Sequence, residues 1–94
     1  MITIDSQRLQ DEIETLATFS EYPAPAVTRV LFSEEDVSAR NFLKDKFAAA
    51  NLEIREDPVG NIFATWPGTE PDLPVVATGS HTDAVPNAGK YDGV

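Results

Sequence analysis

Ninety-four residues with 16 Asp and Glu against 7 Lys and Arg, a formal charge of −9, suit one domain with a modest core and repel phosphate backbones and anionic lipid, so neither nucleic acid nor membrane is an expected partner. The absence of cysteine excludes disulfides, thiolate metal sites and cysteine nucleophiles, so a metal would have to be held by His and carboxylate. The acidity itself is read as solubility, no apolar run approaches the ~20 residues of a membrane span, and MITIDSQRLQ lacks a secretory leader's basic and apolar regions, which sets a cytoplasmic expectation.

From Ser6 to Ser20, Leu9, Ile13, Leu16 and Ala17 recur at helical spacing, predicting an amphipathic helix capped by Asp5 or Ser6. EYPAPAV, with two prolines one residue apart, must be loop. Ser33 with Asp36 three places later has the spacing of a capping box, and Glu34 and Glu35 suit the positive end of a helix dipole. Ala39, Phe42, Leu43, Phe47 and Ala50 trace the apolar face of this second helix, and Asn51 is its left-handed stop.

In LEIRED, Leu52 and Ile54 alternate with charged residues, as in a half-buried strand. PVGN is a turn, with Gly60 supplying a positive φ and Asn61 bonding backbone, and IFATW returns as the second strand of a hairpin. Phe63 and Trp66 are expected in the core, whereas Glu53, Glu56 and Glu70 are expected to be solvated. After the Pro-rich loop PGTEPDLP, the continuous apolar run Val75–Ala77 predicts a strand covered on both faces. The expected class is α/β with the order α-α-β-β-β. Little remains to cover that last strand, so residues 1–94 are expected to be the front of a larger catalytic domain, cut after DGV. The alternative is a small α+β unit that gains its missing layer by oligomerising.

The chemistry lies in GSHTDAVPNAGKYDGV. A strand running to about Ser80 would present His81 and Asp83 at its carboxyl end, where α/β sheets collect ligands. Pro86 to Gly89 is read as a turn that returns Asp92 toward His81. Imidazole and carboxylate suit zinc or manganese, a ligating His commonly leans on a carboxylate, and Asp83 is placed to be that support. Asp92, with two oxygens, could span two ions. Taken alone, His-x-Asp is a short pattern carried more often by an ordinary surface histidine than by a metal ligand.

The longer stretches VTRVLFSEEDVSARNFL, EIREDPVGNIFATWPG and GSHTDAVPNAGKYDGV together resemble the binuclear zinc amidohydrolase and carboxypeptidase superfamily. Within it they look like the branch of allantoate and ureidoglycolate amidohydrolases and N-carbamoyl-L-amino acid hydrolases. The resemblance implies that His81 is a metal ligand, Asp92 the carboxylate bridging two divalent ions (zinc or manganese), and Asp83 the catalytic-site acidic residue that supports His81. It also implies a small ureide or amide substrate, a homodimer, and an acid–base Glu and further ligands not found among these residues. The 94 residues alone are therefore expected to be inert. Arg29 falls in the resemblance with no evident task. A peptidase or aminoacylase of the superfamily, and a non-catalytic acidic interaction module, are the competing functions.

Overall fold

The computed structural model describes residues 1–94. In chain order it has helix α1 (Ser6–Ala17), strand β1 (Val27–Arg29), helix α2 (Glu34–Ala49), strands β2 (Glu53–Glu56) and β3 (Ile62–Thr65), and strand β4 (Ala84–Ala88). The α/β class holds, and both helices and the hairpin lie where periodicity and turn chemistry put them. No helix is long and apolar enough to cross a membrane. The chain divides into two compact units, one of residues 1–40 and 80–94, the other of residues 41–79.

The first unit contains the buried residues: Leu16, Val27, Ala39 and Ala84 form its apolar centre, and Thr28, Arg29 and Asp36 are buried with them. Asp5 caps α1, its Oδ1 accepting from the Arg8 amide at 3.0 Å. Ser33 Oγ accepts from the Asp36 amide at 3.2 Å at the start of α2. Asp36 does not close a capping box in return. Its Oδ2 accepts from the amide of Phe32 at 2.9 Å, one residue before the cap. Phe32 has φ 68°, a left-handed conformation that costs a bulky residue on the order of 1–3 kcal/mol, and the buried carboxylate is what holds it there.

β1 and β4 pair antiparallel, Val27 with Ala88 and Arg29 with Ala84. One residue separates the pair on β1 and three on β4, so β4 bulges. The bulge accommodates Pro86, which has no amide to donate, and Asn87 at φ 58°. The Asn87 amide donates instead to Thr28 Oγ1 at 2.9 Å, and the Thr28 amide donates to Ser20 Oγ at 2.9 Å. Neither strand was expected: Val27–Arg29 is too short to show a period, and Pro86–Gly89 has the composition of a turn. The reversal expected there comes slightly later, where the Asp92 amide donates to Gly89 O at 3.1 Å.

In the second unit β2 and β3 form a regular antiparallel hairpin, Glu53 opposite Thr65 through Glu56 opposite Ile62. Gly60 has φ 92° and Asn51 φ 58°, as expected. Asn61 donates its amide and its side-chain nitrogen to the Asp57 carboxylate, both at 2.8 Å, bonding a side chain where backbone was expected. Glu56 is ion-paired to Lys44 at 2.6 Å. Two expectations are corrected. Phe63 and Trp66 are not core residues but exposed, Trp66 at 81%, because the hairpin has no buried face, β2 being exposed throughout and β3 beyond Ile62; Phe63 lies instead under the Arg55 guanidinium, 4.0 Å from its ring centre. Val75–Ala77 forms no strand, and Val76 is fully exposed, because none of the strands supplies the partner a ladder needs.

Replacing Ser33 with Ala should lower stability by about 1 kcal/mol, measured as a shift in urea midpoint. Asp57 titrates below the ordinary carboxylate range, chiefly because Asn61's side chain and then its amide hydrogen-bond the ionised form. Its contribution to the hairpin turn is therefore full above its unfolded value and disappears as pH falls through the lower folded value. Amide exchange at Gly60 and Asn61 should accelerate over that acid window in the native sequence and lose this pH dependence in Asp57→Ala.

Candidate metal centre

His81, Asp83 and Asp92 lie in the first unit and come together. His81 Nδ1 is 2.9 Å from the Asp83 carbonyl oxygen and 3.3 Å from Asp83 Oδ1. On the opposite side of the ring Nε2 faces Asp92 Oδ1 at 3.8 Å. The support expected from the Asp83 carboxylate is therefore shared with the same residue's main chain. A carbonyl can only accept, so Nδ1 must carry the proton, and in neutral imidazole Nε2 is then a bare lone pair.

That lone pair points toward a carboxylate oxygen. At 3.8 Å the two are too far apart for a direct hydrogen bond, and without a proton or cation between them two electron-rich atoms face each other. Zinc–nitrogen and zinc–oxygen bonds of ~2.0–2.2 Å together span such a gap. The donor chemistry thus fits a divalent cation. It is only part of a coordination shell, since no group of three or more His, Asp and Glu side chains is arranged to hold an ion. The side chains of His81 and Asp83 are about half exposed, at 54% and 46%, so these residues do not by themselves exclude water. A shallow cleft beside the end of α1, lined by Glu14, Thr18, Glu21 and Tyr22 among others, includes none of the three.

Two features seat the Asp92 loop. Gly93 has φ 79°, and a Cβ built on it would lie 2.3 Å from His81 O and 2.8 Å from Nδ1. Only glycine lets the backbone lie against the ring in this conformation. Lys90 is hydrogen-bonded to Glu14 of α1, and this bond lowers Glu14's pKa and raises that of Lys90. Lys90's share of the support is present below its unfolded value and lost as pH rises through its folded value. Glu14's share is present above its unfolded value and lost as pH falls through its folded value.

Arg29 is the residue whose role composition and spacing did not disclose. It is 2% exposed. Its Nη1 donates to Leu16 O at 2.9 Å and Phe19 O at 2.8 Å, and its Nε donates to Thr82 O at 2.7 Å. Desolvation lowers its pKa, and Asp36, Asp83 and Asp92 act against that, favouring the cation. A TRV tripeptide before a helix carries no signal for such a role; only the pairing of β1 with β4 creates it.

Because His81 is the sole histidine, its nitrogen-15 resonances are assigned without ambiguity and should show the Nδ1-protonated tautomer when neutral. Gly93→Ala combines a disfavoured φ with a steric clash. It should cost on the order of 1–3 kcal/mol in denaturant unfolding and shift the His81 resonances.

No family model matches the chain. It is 56% identical over 93 residues to the ureidoglycolate hydrolase of Arabidopsis thaliana, covering 99% of this chain and 20% of that protein. It is 43% identical over 88 residues to the N-carbamoyl-L-amino-acid amidohydrolase of Paenarthrobacter aurescens, covering 94% of this chain and 21% of that protein. The crystal structure of AtUAH in complex with glyoxylate superimposes with a TM-score of 0.94 at 55% identity, over 98% of this chain and 22% of the other. The chain thus spans about a fifth of the length of these relatives. Across nearly all its residues it is homologous to the N-terminal part of the hydrolases that act on ureidoglycolate, allantoate and N-carbamoyl-L-amino acids.

Proposed function

We propose that this chain furnishes the first part of the metal centre of an amidohydrolase that cleaves a linear C–N bond in a small ureide. Residues 1–94 would be the N-terminal portion of the catalytic domain. The observation that carries the proposal is the His81 ring itself, with Nδ1 held by Asp83 and the free Nε2 turned toward Asp92 Oδ1. Ureidoglycolate is the leading substrate, on the higher identity to the enzyme named for it.

When bound, a pair of divalent ions, zinc or manganese, supplies a water ionised near neutral pH and polarises the scissile carbonyl. His81 would offer Nε2 to one ion. Asp92, with two carboxylate oxygens, would serve both. Asp83 keeps the imidazole in the tautomer that leaves Nε2 free, its carbonyl and its carboxylate both lying beside Nδ1. Gly93 keeps the Asp92 loop against the ring. The acid–base Glu and further ligands implied by the resemblance have no counterpart among these residues, so the 94 residues alone are proposed to be inert. The proposal extends to a homodimer, a cytoplasmic setting and, on the charge of −9, no nucleic-acid or membrane partner.

The test is a chimera in which these 94 residues replace the matching segment of the Arabidopsis enzyme. It should bind divalent metal and release product from ureidoglycolate. Asp92→Ala should lose both metal and turnover, and Asp83→Asn should lose turnover with modest metal loss. A folded chimera that hydrolyses nothing, or an Asp92→Ala variant with full metal content, would refute the assignment. Turnover of N-carbamoyl amino acids in place of ureidoglycolate would keep the centre and correct the substrate.

A further inference from the structure

Arg29 is the largest fully buried side chain of the protein. A guanidinium removed from water must find acceptors for its donors. Those named above are all main-chain carbonyls: Leu16 and Phe19 at the end of α1, and Thr82. The first two explain part of its presence, since a cation suits the orphan carbonyls of a helix C-terminus. They do not explain Thr82, which lies 53 positions along the chain between His81 and Asp83.

The backbone of Arg29 holds the same segment a second time. Arg29 pairs with Ala84 across β1 and β4, while its side chain holds Thr82. Asp83 is thus bracketed by two contacts from one residue. Its carbonyl, oriented by that bracket, is the acceptor that fixes His81 Nδ1. The guanidinium also lies within electrostatic reach of Asp83 and Asp92, on the two sides of the imidazole.

We propose that Arg29 is the positioning residue of the His81–Asp83–Asp92 cluster, fixing the Thr82 carbonyl relative to α1 and thereby the tautomer and direction of the His81 ring. This rests on the metal-centre assignment only for its consequence in metal binding; the effect on the ring is independent of it. Lysine cannot substitute, because a point charge on a flexible stem lacks the planar fork that reaches three fixed carbonyls.

The test compares the 94-residue chain with Arg29→Lys and, as a control, with the exposed Arg8→Lys. Nitrogen-15 spectra of the single histidine should show the Nδ1-protonated tautomer in the parent and in Arg8→Lys. In Arg29→Lys the two ring nitrogens should move toward equivalence while amide dispersion shows the fold retained. In the chimera, Arg29→Lys should weaken zinc binding at least tenfold. Should Arg29→Lys fail to fold, the unsubstituted chain gives a second measurement. The Arg29 Nε–H should exchange with water at least a hundredfold more slowly than that of Arg8, and its resonance should move when the chimera takes up zinc. A folded Arg29→Lys with unchanged histidine resonances, or Arg29 exchange as fast as that of Arg8, overturns the proposal. A chimera that binds no zinc, alongside a disturbed His81 ring in Arg29→Lys, overturns the metal assignment and leaves the positioning role standing.

Discussion

A buried arginine holding three main-chain carbonyls is the constraint on which the first unit depends. Burying a cation is unfavourable unless acceptors compensate it, and here backbone from two distant parts of the chain supplies acceptors for Nε and Nη1. Main-chain acceptors are indifferent to side-chain identity, so the tie is one of geometry alone. It makes the end of α1 and the His81–Asp83 segment members of one object. Around it the rest follows: Asp36 balances the charge and holds the strained Phe32 backbone, Thr28 satisfies an amide left free by the β4 bulge, and Leu16, Val27, Ala39 and Ala84 close over the whole.

The site inherits its chemistry from that frame. Nothing in a histidine decides which ring nitrogen is protonated; a neighbour that can only accept decides it. Here the neighbour is a carbonyl of the residue two places on. The carboxylate of the same residue stands slightly farther away, so one residue supplies both a main-chain and a side-chain acceptor. Asp92 comes from a separate turn whose approach is permitted by Gly93 and steadied by Lys90 on Glu14. The half-exposed cluster is an arrangement of donors that does not by itself exclude water.

How much of this was legible in the sequence varies by element, for physical reasons. α1 and α2 were readable because an amphipathic face repeats over a dozen or more residues and the caps are local. The β2–β3 hairpin was readable because its turn has proline and a glycine at positive φ between two short apolar-bearing runs; the bonding of Asn61 to the Asp57 carboxylate was not. β1 and β4 were not, because three residues cannot display a period and a proline-bearing bulge imitates a turn. The Val75–Ala77 run was misjudged in the opposite sense: apolar content reveals a demand for burial, whereas a strand also needs hydrogen-bonding neighbours, which no sequence window contains. At the candidate site, the convergence of His81, Asp83 and Asp92 was legible from residue type and resemblance. The parts played by the Asp83 carbonyl and by Arg29 were not, since a main-chain acceptor is the same at every position.

The pairing of β1 with β4 joins residues more than fifty positions apart, with residues 41–79 making a compact unit of their own in the interval. Closing a loop costs free energy that grows only with the logarithm of its length, about 0.6 kcal/mol for each doubling. The intervening segment is therefore free to lengthen or shorten over evolutionary time at small thermodynamic cost, provided both flanks still meet. The reckoning differs during synthesis on the ribosome. The frame around Arg29 cannot close until Thr82 and Ala84 have emerged, so a nascent chain holds an arginine awaiting its third acceptor, and this stretch of the polypeptide completes its fold late.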